Sequence, residues 1–495
     1  MSKLRSRYRC STCGACQPRW AGRCPTCGEW GTLKEEELSS TSASEGRFGP
    51  ISSFTGPVAL KDVGLGGQAP MPTGAPEFDR VMAGGLLPAS ATLLGGEPGT
   101  GKSTLLLQVL ASMAASGRRC LLVAAEEAAH QVRRRASRLG ADVDGVLVVE
   151  ASELVAVEAA VASVSPDIVV VDSLQALSGP DQASVAGSPA QVKACAERLV
   201  RLAKRAGTAL VMVGHVTKDG SLAGPRVLEH LVDTVLSFEG DRYSALRVLR
   251  SLKHRFGPTG EVGLFEMVES GLASVADPSS LFVGDRVVGT PGSSVAVLVD
   301  GYRPMLVEVQ ALVGRSSQFR RLYVTGLDAG RVGFLVAVLE RHAGLPVGNQ
   351  DIYVSVAGGA KATEPAADLA ACLAIASCLL RRPVPAGLVA IGEVGLGGEV
   401  RRVGALPKRL AEAGRLGFWE ALVPAQRPTP VERSASVEPG PPVRERAVAT
   451  LAQAVEAALG PCSAHDAEGG RWDRPWASPR RDGGRKSSFG LVATP

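Results

Sequence analysis

Gly96-Glu-Pro-Gly-Thr-Gly-Lys102-Ser103 is the stretch whose reading decides the fold. It matches G-x-x-x-x-G-K-[ST] in full, after the apolar run Ala91–Leu94 and before Ser103–Ala115, which has helical periodicity. The glycines let backbone N–H groups crowd around phosphate oxygens, and the following helix N-terminus favours that negative charge. Lys102 is placed to reach the β/γ-phosphates, and Ser103 to ligate Mg²⁺. The candidate ATP-binding residues are therefore Gly96, Glu97, Pro98, Gly99, Thr100, Gly101, Lys102, Ser103 and Thr104.

Further along the chain, short apolar runs alternate with helical stretches. Cys120–Ala125, Asp167–Asp172, Ala209–Gly214 and Ala245–Leu249 read, with Ala91–Leu94, as strands of a parallel sheet buried on both faces. Gln191–Ala206 reads as a helix, and the alternation predicts an α/β domain over 70–275. The run Pro166-Asp-Ile-Val-Val-Val-Asp172 ends in an acid suited to Mg²⁺, as in a Walker B strand. Leu121-Leu-Val-Ala-Ala-Glu126-Glu127 sets two acids at the end of the strand after the phosphate-loop helix. A second α/β stretch, 276–460, carries strands at Ser294–Asp300, Tyr353–Val356 and Gly387–Ile391. Residues 34–69 have the composition of a linker, and 461–495 that of a disordered tail.

The chain is 495 residues long, 45% hydrophobic and 21% charged, which excludes wholesale disorder and supplies more than one core. Its net charge of +5 is too small to mark the whole chain as a nucleic-acid binder, so any basic surface is local. The longest apolar run, Leu369–Leu380, falls short of the roughly 20 residues that span a bilayer. The N-terminus lacks the apolar segment of a secretory signal, so a cytoplasmic protein without membrane association is expected.

Five of the ten cysteines fall within residues 10–27. Cys10-x-x-Cys13 and Cys24-x-x-Cys27, ten residues apart, together form a closed four-thiolate shell for a structural zinc in a small knuckle over 1–33. Cys16 is left over. The knuckle spacing favours Zn²⁺ over an iron–sulfur cluster. Arg5, Arg7, Arg9, Arg19 and Arg23 surround it, with Trp20.

Trp20, Trp30 and Gly31 around the knuckle, the phosphate loop, Gly214-His-Val-Thr-Lys-Asp-Gly220 and Ala223-Gly-Pro-Arg-Val-Leu-Glu-His230 together resemble the bacterial RadA (Sms) family over residues 1 to about 460. The resemblance implies a RecA-like P-loop ATPase core joined to a Lon-like α/β domain. It implies a DNA-dependent ATPase of recombinational repair, working as a homohexameric ring. Such a ring moves on single-stranded DNA and promotes branch migration of branched intermediates, beside a recombinase such as RecA. By analogy with RecA-type enzymes, Glu126 is the candidate catalytic glutamate, with Glu127 in reserve, and His215 holds the place of a γ-phosphate sensor. The family's Lys-Asn-Arg-Phe-Gly signature stands here as Lys253-His254-Arg255-Phe256-Gly257, and its Ser-Gly-Glu-Glu as Ala124-Ala-Glu-Glu127. The resemblance implies that Lys253 and Arg255 couple DNA to ATP, reaching a neighbour's nucleotide. Lys218 and Arg226, in the second of two loops (Gly179–Ser188 and Thr217–Arg226) expected to face the ring's channel, are candidate DNA contacts.

Lon-type peptidases use a Ser–Lys dyad. Ala366, in Glu364-Pro-Ala366-Ala-Asp368, stands where the serine would be, and Pro407 where the lysine would be. No peptidase activity is expected, and the domain reads as a scaffold. Lys361, Arg381, Arg382, Arg401, Arg402, Lys408 and Arg409 are its candidate DNA contacts. Two rival readings are an ATP-dependent unfoldase or protease-like factor and an ATP-regulated DNA-binding scaffold.

Overall fold

The computed structural model describes residues 6–10, 12, 16–17, 20–23, 25, 27–37, 69–179, 187–215, 227–240, 245–316, 321–425 and 441–461. Residues 1–66 and 67–495 form separate compact units. In the first, strands Cys16–Gln17 and Leu33–Glu37 flank Ser6–Cys10 in an antiparallel ribbon.

The second unit contains a nine-stranded sheet. From edge to edge its strands are Gly271–Ser274, Val262–Val268, Leu246–His254, Thr234–Glu239, Ala91–Gly96, Ala209–His215, Ile168–Asp172, Cys120–Ala124 and Val146–Glu150. The six from Thr234–Glu239 to Val146–Glu150 are parallel. Alternation along them feeds two cores. Leu94, Leu122, Val170 and Val211 pack with the helix Lys102–Ala115 on one face. Leu93, Leu121, Val169 and Leu210 pack with the helices Leu154–Val164 and Pro189–Ala206 on the other. Burial of both faces is why Ala91–Gly96, Cys120–Ala124, Ile168–Asp172 and Ala209–His215 read as unbroken apolar runs, whereas the edge strand Val146–Glu150 is partly exposed.

The expected strand Ala245–Leu249 departs from the parallel set. It is the start of Leu246–His254, which runs antiparallel to Thr234–Glu239. Only residues 240–245 join the two, whereas a parallel return needs a crossover of about a dozen residues or more.

A seven-stranded sheet follows, in the order Leu322–Thr325, Gln350–Val356, Arg303–Arg315, Ser293–Asp300, Leu388–Ala390, Glu420–Pro424, Arg444–Val448. The long apolar run becomes the helix Asp368–Leu380, buried along nearly its whole length beneath this sheet. Apolar on every side, it has no polar face to offer water. Val262 and Leu264 of the first sheet belong to the same core as Val307 and Val309 of the second. Across this junction Arg303 pairs with Glu77, and both side chains are buried. Arg303 also donates to the carbonyls of Val275 (3.1 Å) and Ala276 (2.8 Å), while Glu77 accepts the Leu264 N–H at 2.9 Å.

Candidate nucleotide site

The strand Ala91–Gly96 delivers the phosphate loop to the carboxyl edge of the parallel strands, and the helix Lys102–Ala115 begins directly after it. Two glycines are required by their surroundings. A Cβ on Gly96 would lie 2.3 Å from the Phe238 carbonyl oxygen. Gly101, at φ 105°, would strain any side chain and bring it 2.9 Å from Met267. Arg247 braces the loop from the antiparallel strand, donating from Nε to the Thr100 carbonyl at 3.1 Å. Thr100 in turn donates its hydroxyl to the Glu97 carbonyl at 2.9 Å.

The loop opens on a cavity of about 440 Å³ lined by Pro98, Gly99, Gly101, Lys102, Ser103 and Thr104 from the loop and helix. Glu126, Glu127 and Asp172 line it from the neighbouring strand ends. Lys102 is buried, and its Nζ donates to the carbonyls of Gly96 and Glu97 at 2.8 Å each. Burial lowers the Lys102 pKa, opposed by Asp172, Glu126 and Glu97. Burial raises that of Asp172, opposed by a hydrogen bond from the Ser103 hydroxyl and by Arg135. Ser103 and Asp172 both line the cavity, and the pair offers two oxygen ligands of the kind Mg²⁺ takes.

Strand order brings Glu126 to the site. Cys120–Ala124 lies beside Ile168–Asp172 with Ala124 opposite Asp172, so the segments beyond both strands meet. There the Ser173 hydroxyl donates to the Glu126 carboxylate. Glu127, which lines the same cavity, accepts from Arg135 Nη1 at 2.9 Å. Sequence reasoning passed over Ser173, Arg135 and Arg247; Ser173 follows a named acid directly, but no spacing shows that its hydroxyl meets the next strand's glutamate. The backbone of His215 ends its strand opposite Gly96, and its side chain lies outside the described residues.

Lys253 and Arg255 stand at the opposite edge of the sheet. His254 pairs with Thr234, which pairs with Thr92 at the start of the phosphate-loop strand. From Thr92 to Gly96 is four residues, roughly 13 Å at about 3.3 Å per residue. Neither cation lines the chain's own cavity. Lys253 Nζ donates to the Glu229 carbonyl and to that of Val232 (2.8 Å), where the short helix Val227–Leu231 ends. Arg255 Nη1 donates to Asp233 Oδ1 at 3.0 Å, and Asp233 also accepts the Ala91 N–H at 3.1 Å.

His254 faces inward, with its Nδ1 3.2 Å from the Thr234 hydroxyl and accepting the Phe256 N–H at 3.4 Å. Burial lowers its pKa below the ordinary 6.5, opposed by the Met82 backbone. The folded state thus prefers the neutral ring. The stability this contributes is complete above about pH 6.5 and is lost as the pH falls and the unfolded chain takes up the proton. Urea midpoints at about pH 7.5 and about pH 5.5 should therefore fall further apart in the wild type than in His254→Asn.

In the ribbon, Cys10 ends its strand and the Cys27 thiol is exposed. Cys13, Cys24 and the Cys10 side chain lie outside the described residues. As a donor set, two CxxC pairs fit Zn²⁺. Lys218 and Arg226 also lie outside the described residues. Among those described, no helix is long and apolar enough to cross a membrane.

In the second sheet's domain Ala366 is fully buried, in a turn that leads into the central helix. Pro407 lies in the first turn of the helix Leu406–Arg415. Arg409, expected as a DNA contact, is instead 1% exposed. It pairs with Glu364 and donates to the carbonyls of Gly404 (2.9 Å) and Val297. Helical geometry turns position 409 inward, and only a carboxylate and carbonyls at that depth let a guanidinium stay there. Lys408 lies over the Tyr302 ring, 5.0 Å from its centroid.

A phosphate loop on a parallel sheet, with an acid-ended strand one strand removed from it and a held carboxylate on the strand after that, defines an ATP-binding P-loop domain of the RecA-like class. Residues 72–221 match the AAA domain, 8–35 the rubredoxin metal binding domain, and 343–437 the Lon protease (S16) C-terminal proteolytic domain. The DNA repair protein RadA of Mycolicibacterium smegmatis is 46% identical over 429 residues, covering 86% of this chain and 92% of its own length. That of Bacillus subtilis is 43% identical over 428 residues, covering 86% and 93%. A KaiC-like protein from Pyrococcus horikoshii, solved by crystallography, aligns at 19% identity with a TM-score of 0.37, covering 42% of this chain and 99% of its own. The chain belongs to the RadA family of DNA repair proteins.

Proposed function

We propose that this chain is a DNA-dependent ATPase of recombinational repair that translocates on single-stranded DNA and promotes branch migration. The observation that carries the reading is the nucleotide cavity, where Lys102, Ser103, Asp172 and a Ser173-held Glu126 converge. Lys102 binds the β/γ-phosphates, leaving its loop carbonyls to do so. Ser103 and Asp172 hold Mg²⁺, which neutralises charge on the phosphates when bound. Glu126 orients and deprotonates the attacking water, and the Ser173 hydroxyl fixes which carboxylate oxygen faces it. Glu126→Gln should lower kcat by about 10²–10⁴-fold, and Ser173→Ala by about tenfold with KM little changed, in steady-state hydrolysis assays. Glu127→Gln, which alters the carboxylate turned to Arg135, should cost far less.

Lys253 and Arg255 act in trans, in a homohexamer whose neighbouring subunit presents its nucleotide to them. Their place on the sheet edge away from the chain's own cavity supports this reading. A cation supplied in trans stabilises charge developing on the γ-phosphate and makes hydrolysis depend on assembly. Mixing Lys102→Ala with Arg255→Ala protein should restore part of the activity that neither has alone, and no recovery would sink the trans role.

Cys10, Cys13, Cys24 and Cys27 hold a structural Zn²⁺. The Lon-like domain is a scaffold without peptidase activity: alanine at position 366 supplies no nucleophile, and the Arg409–Glu364 pair lies beside that turn. A cytoplasmic location and a recombinase partner such as RecA belong to the same reading. Its test is ATP hydrolysis with and without single-stranded DNA, with Lys102→Ala as blank and an unfolded protein as control ligand. Stimulation by DNA that is lost in the blank supports the motor. Stimulation by unfolded protein and not by DNA overturns it in favour of an unfoldase.

A further inference from the structure

The helix Ala129–Arg138 carries Arg133, Arg134, Arg135 and Arg138, and they do not share one environment. The side chain of Arg133 is 77% exposed and 3.6 Å from Asp142, and Arg134 is exposed. Arg135 lies on the inner face with Val132, three residues back, and both line the nucleotide cavity. Its side chain is 19% exposed. Among the described residues its buried Nε has no hydrogen-bond partner, although Nη1 donates to Glu127. A desolvated guanidinium N–H left unpaired is costly, and it persists where another acceptor completes the site.

The charges in the cavity indicate what that acceptor is. Glu126, Glu127 and Asp172 face Lys102 on the phosphate loop, and Arg135 and Arg138 are the other cations among the described lining residues. A nucleoside triphosphate brings several more negative charges, which Lys102, Arg138 and one Mg²⁺ would meet without Arg135 if it stayed on Glu127. Glu127 is 43% exposed, and a pair with so wet a carboxylate is weak. A phosphate accepts two parallel N–H bonds from a guanidinium and is the stronger partner.

We propose that Arg135 is a phosphate-contacting residue of the ATP site, which exchanges Glu127 for the terminal phosphate of the chain's own bound nucleotide. This rests on the nucleotide reading above and adds to it a cation supplied in cis, apart from Lys253 and Arg255. The competing role is purely local, with Arg135 doing no more than pinning Glu127.

The two roles separate in binding experiments on the full-length chain, with Mg²⁺ and the fluorescent N-methylanthraniloyl derivatives of ATP and ADP. Arg135→Ala and Arg135→Gln should weaken ATP binding about tenfold or more while changing ADP binding less than about twofold. Glu127→Gln should leave the ATP/ADP preference at least as large as in the wild type. If the arginine variants keep the wild-type preference, or lose both nucleotides alike, the phosphate role is wrong. It is equally wrong if Glu127→Gln reproduces the loss. A wild type that binds neither nucleotide overturns the ATPase reading itself and this inference with it. Unfolding midpoints identify a variant that has lost its fold, and either arginine substitution alone suffices to decide.

Discussion

Lys102→Ala should reduce ATP hydrolysis by about 10³-fold, with DNA present or absent, in a steady-state phosphate-release assay. Among the described residues Lys102 is the single lysine lining the cavity. Its ammonium is held by two carbonyls 2.8 Å away, in a place where burial already works against its charge. The loop keeps this costly cation, and a bound triphosphate turns the cost into attraction. Hydrolysis pushes negative charge toward the β–γ bridging oxygen, where a desolvated ammonium acts far more strongly than it would in water. The variant should stay folded, because Lys102 makes its bonds to the loop itself and not to a distant element. A normal unfolding midpoint beside the lost rate would confirm this, whereas retained hydrolysis would place the chemistry elsewhere.

Arg303→Ala should lower stability by about 3–5 kcal/mol, read from urea unfolding. Arg303 and Glu77 are 7% and 1% exposed, and they join the phosphate-loop half of the chain to the Lon-like sheet. Without the guanidinium, the Glu77 carboxylate keeps the Leu264 N–H and a 3.3 Å contact from Arg80, too little to hold a buried charge. The carbonyls of Val275 and Ala276 lose their donor as well. Arg303→Met combined with Glu77→Gln removes both charges together and should recover much of the loss. A double variant as weak as the single one would place the effect in packing instead.

The phosphate loop, the Asp172 strand and the Glu126 strand were legible because each is a local pattern, with a residue type and a neighbouring strand or helix within one short window. The antiparallel direction of Leu246–His254 was missed although the short link 240–245 foretold it, because an apolar run does not encode its own direction. Arg409 was misplaced because a charge on a helix reads as solvated until its partner, Glu364, is known; that partner lies 45 residues earlier.

By itself the sequence determined the α/β class, the phosphate loop, the strand that ends in Asp172, and the two CxxC pairs, since backbone conformation and spacing act within a few residues. Tertiary structure decided which side chains stand opposite one another. It set Ser173 against Glu126 and Arg135 against Glu127, and it carried Lys253 and Arg255 to the sheet edge away from the chain's own cavity. Those outcomes depend on strand order and on which face each helix buries, and both are settled only when the whole core packs together.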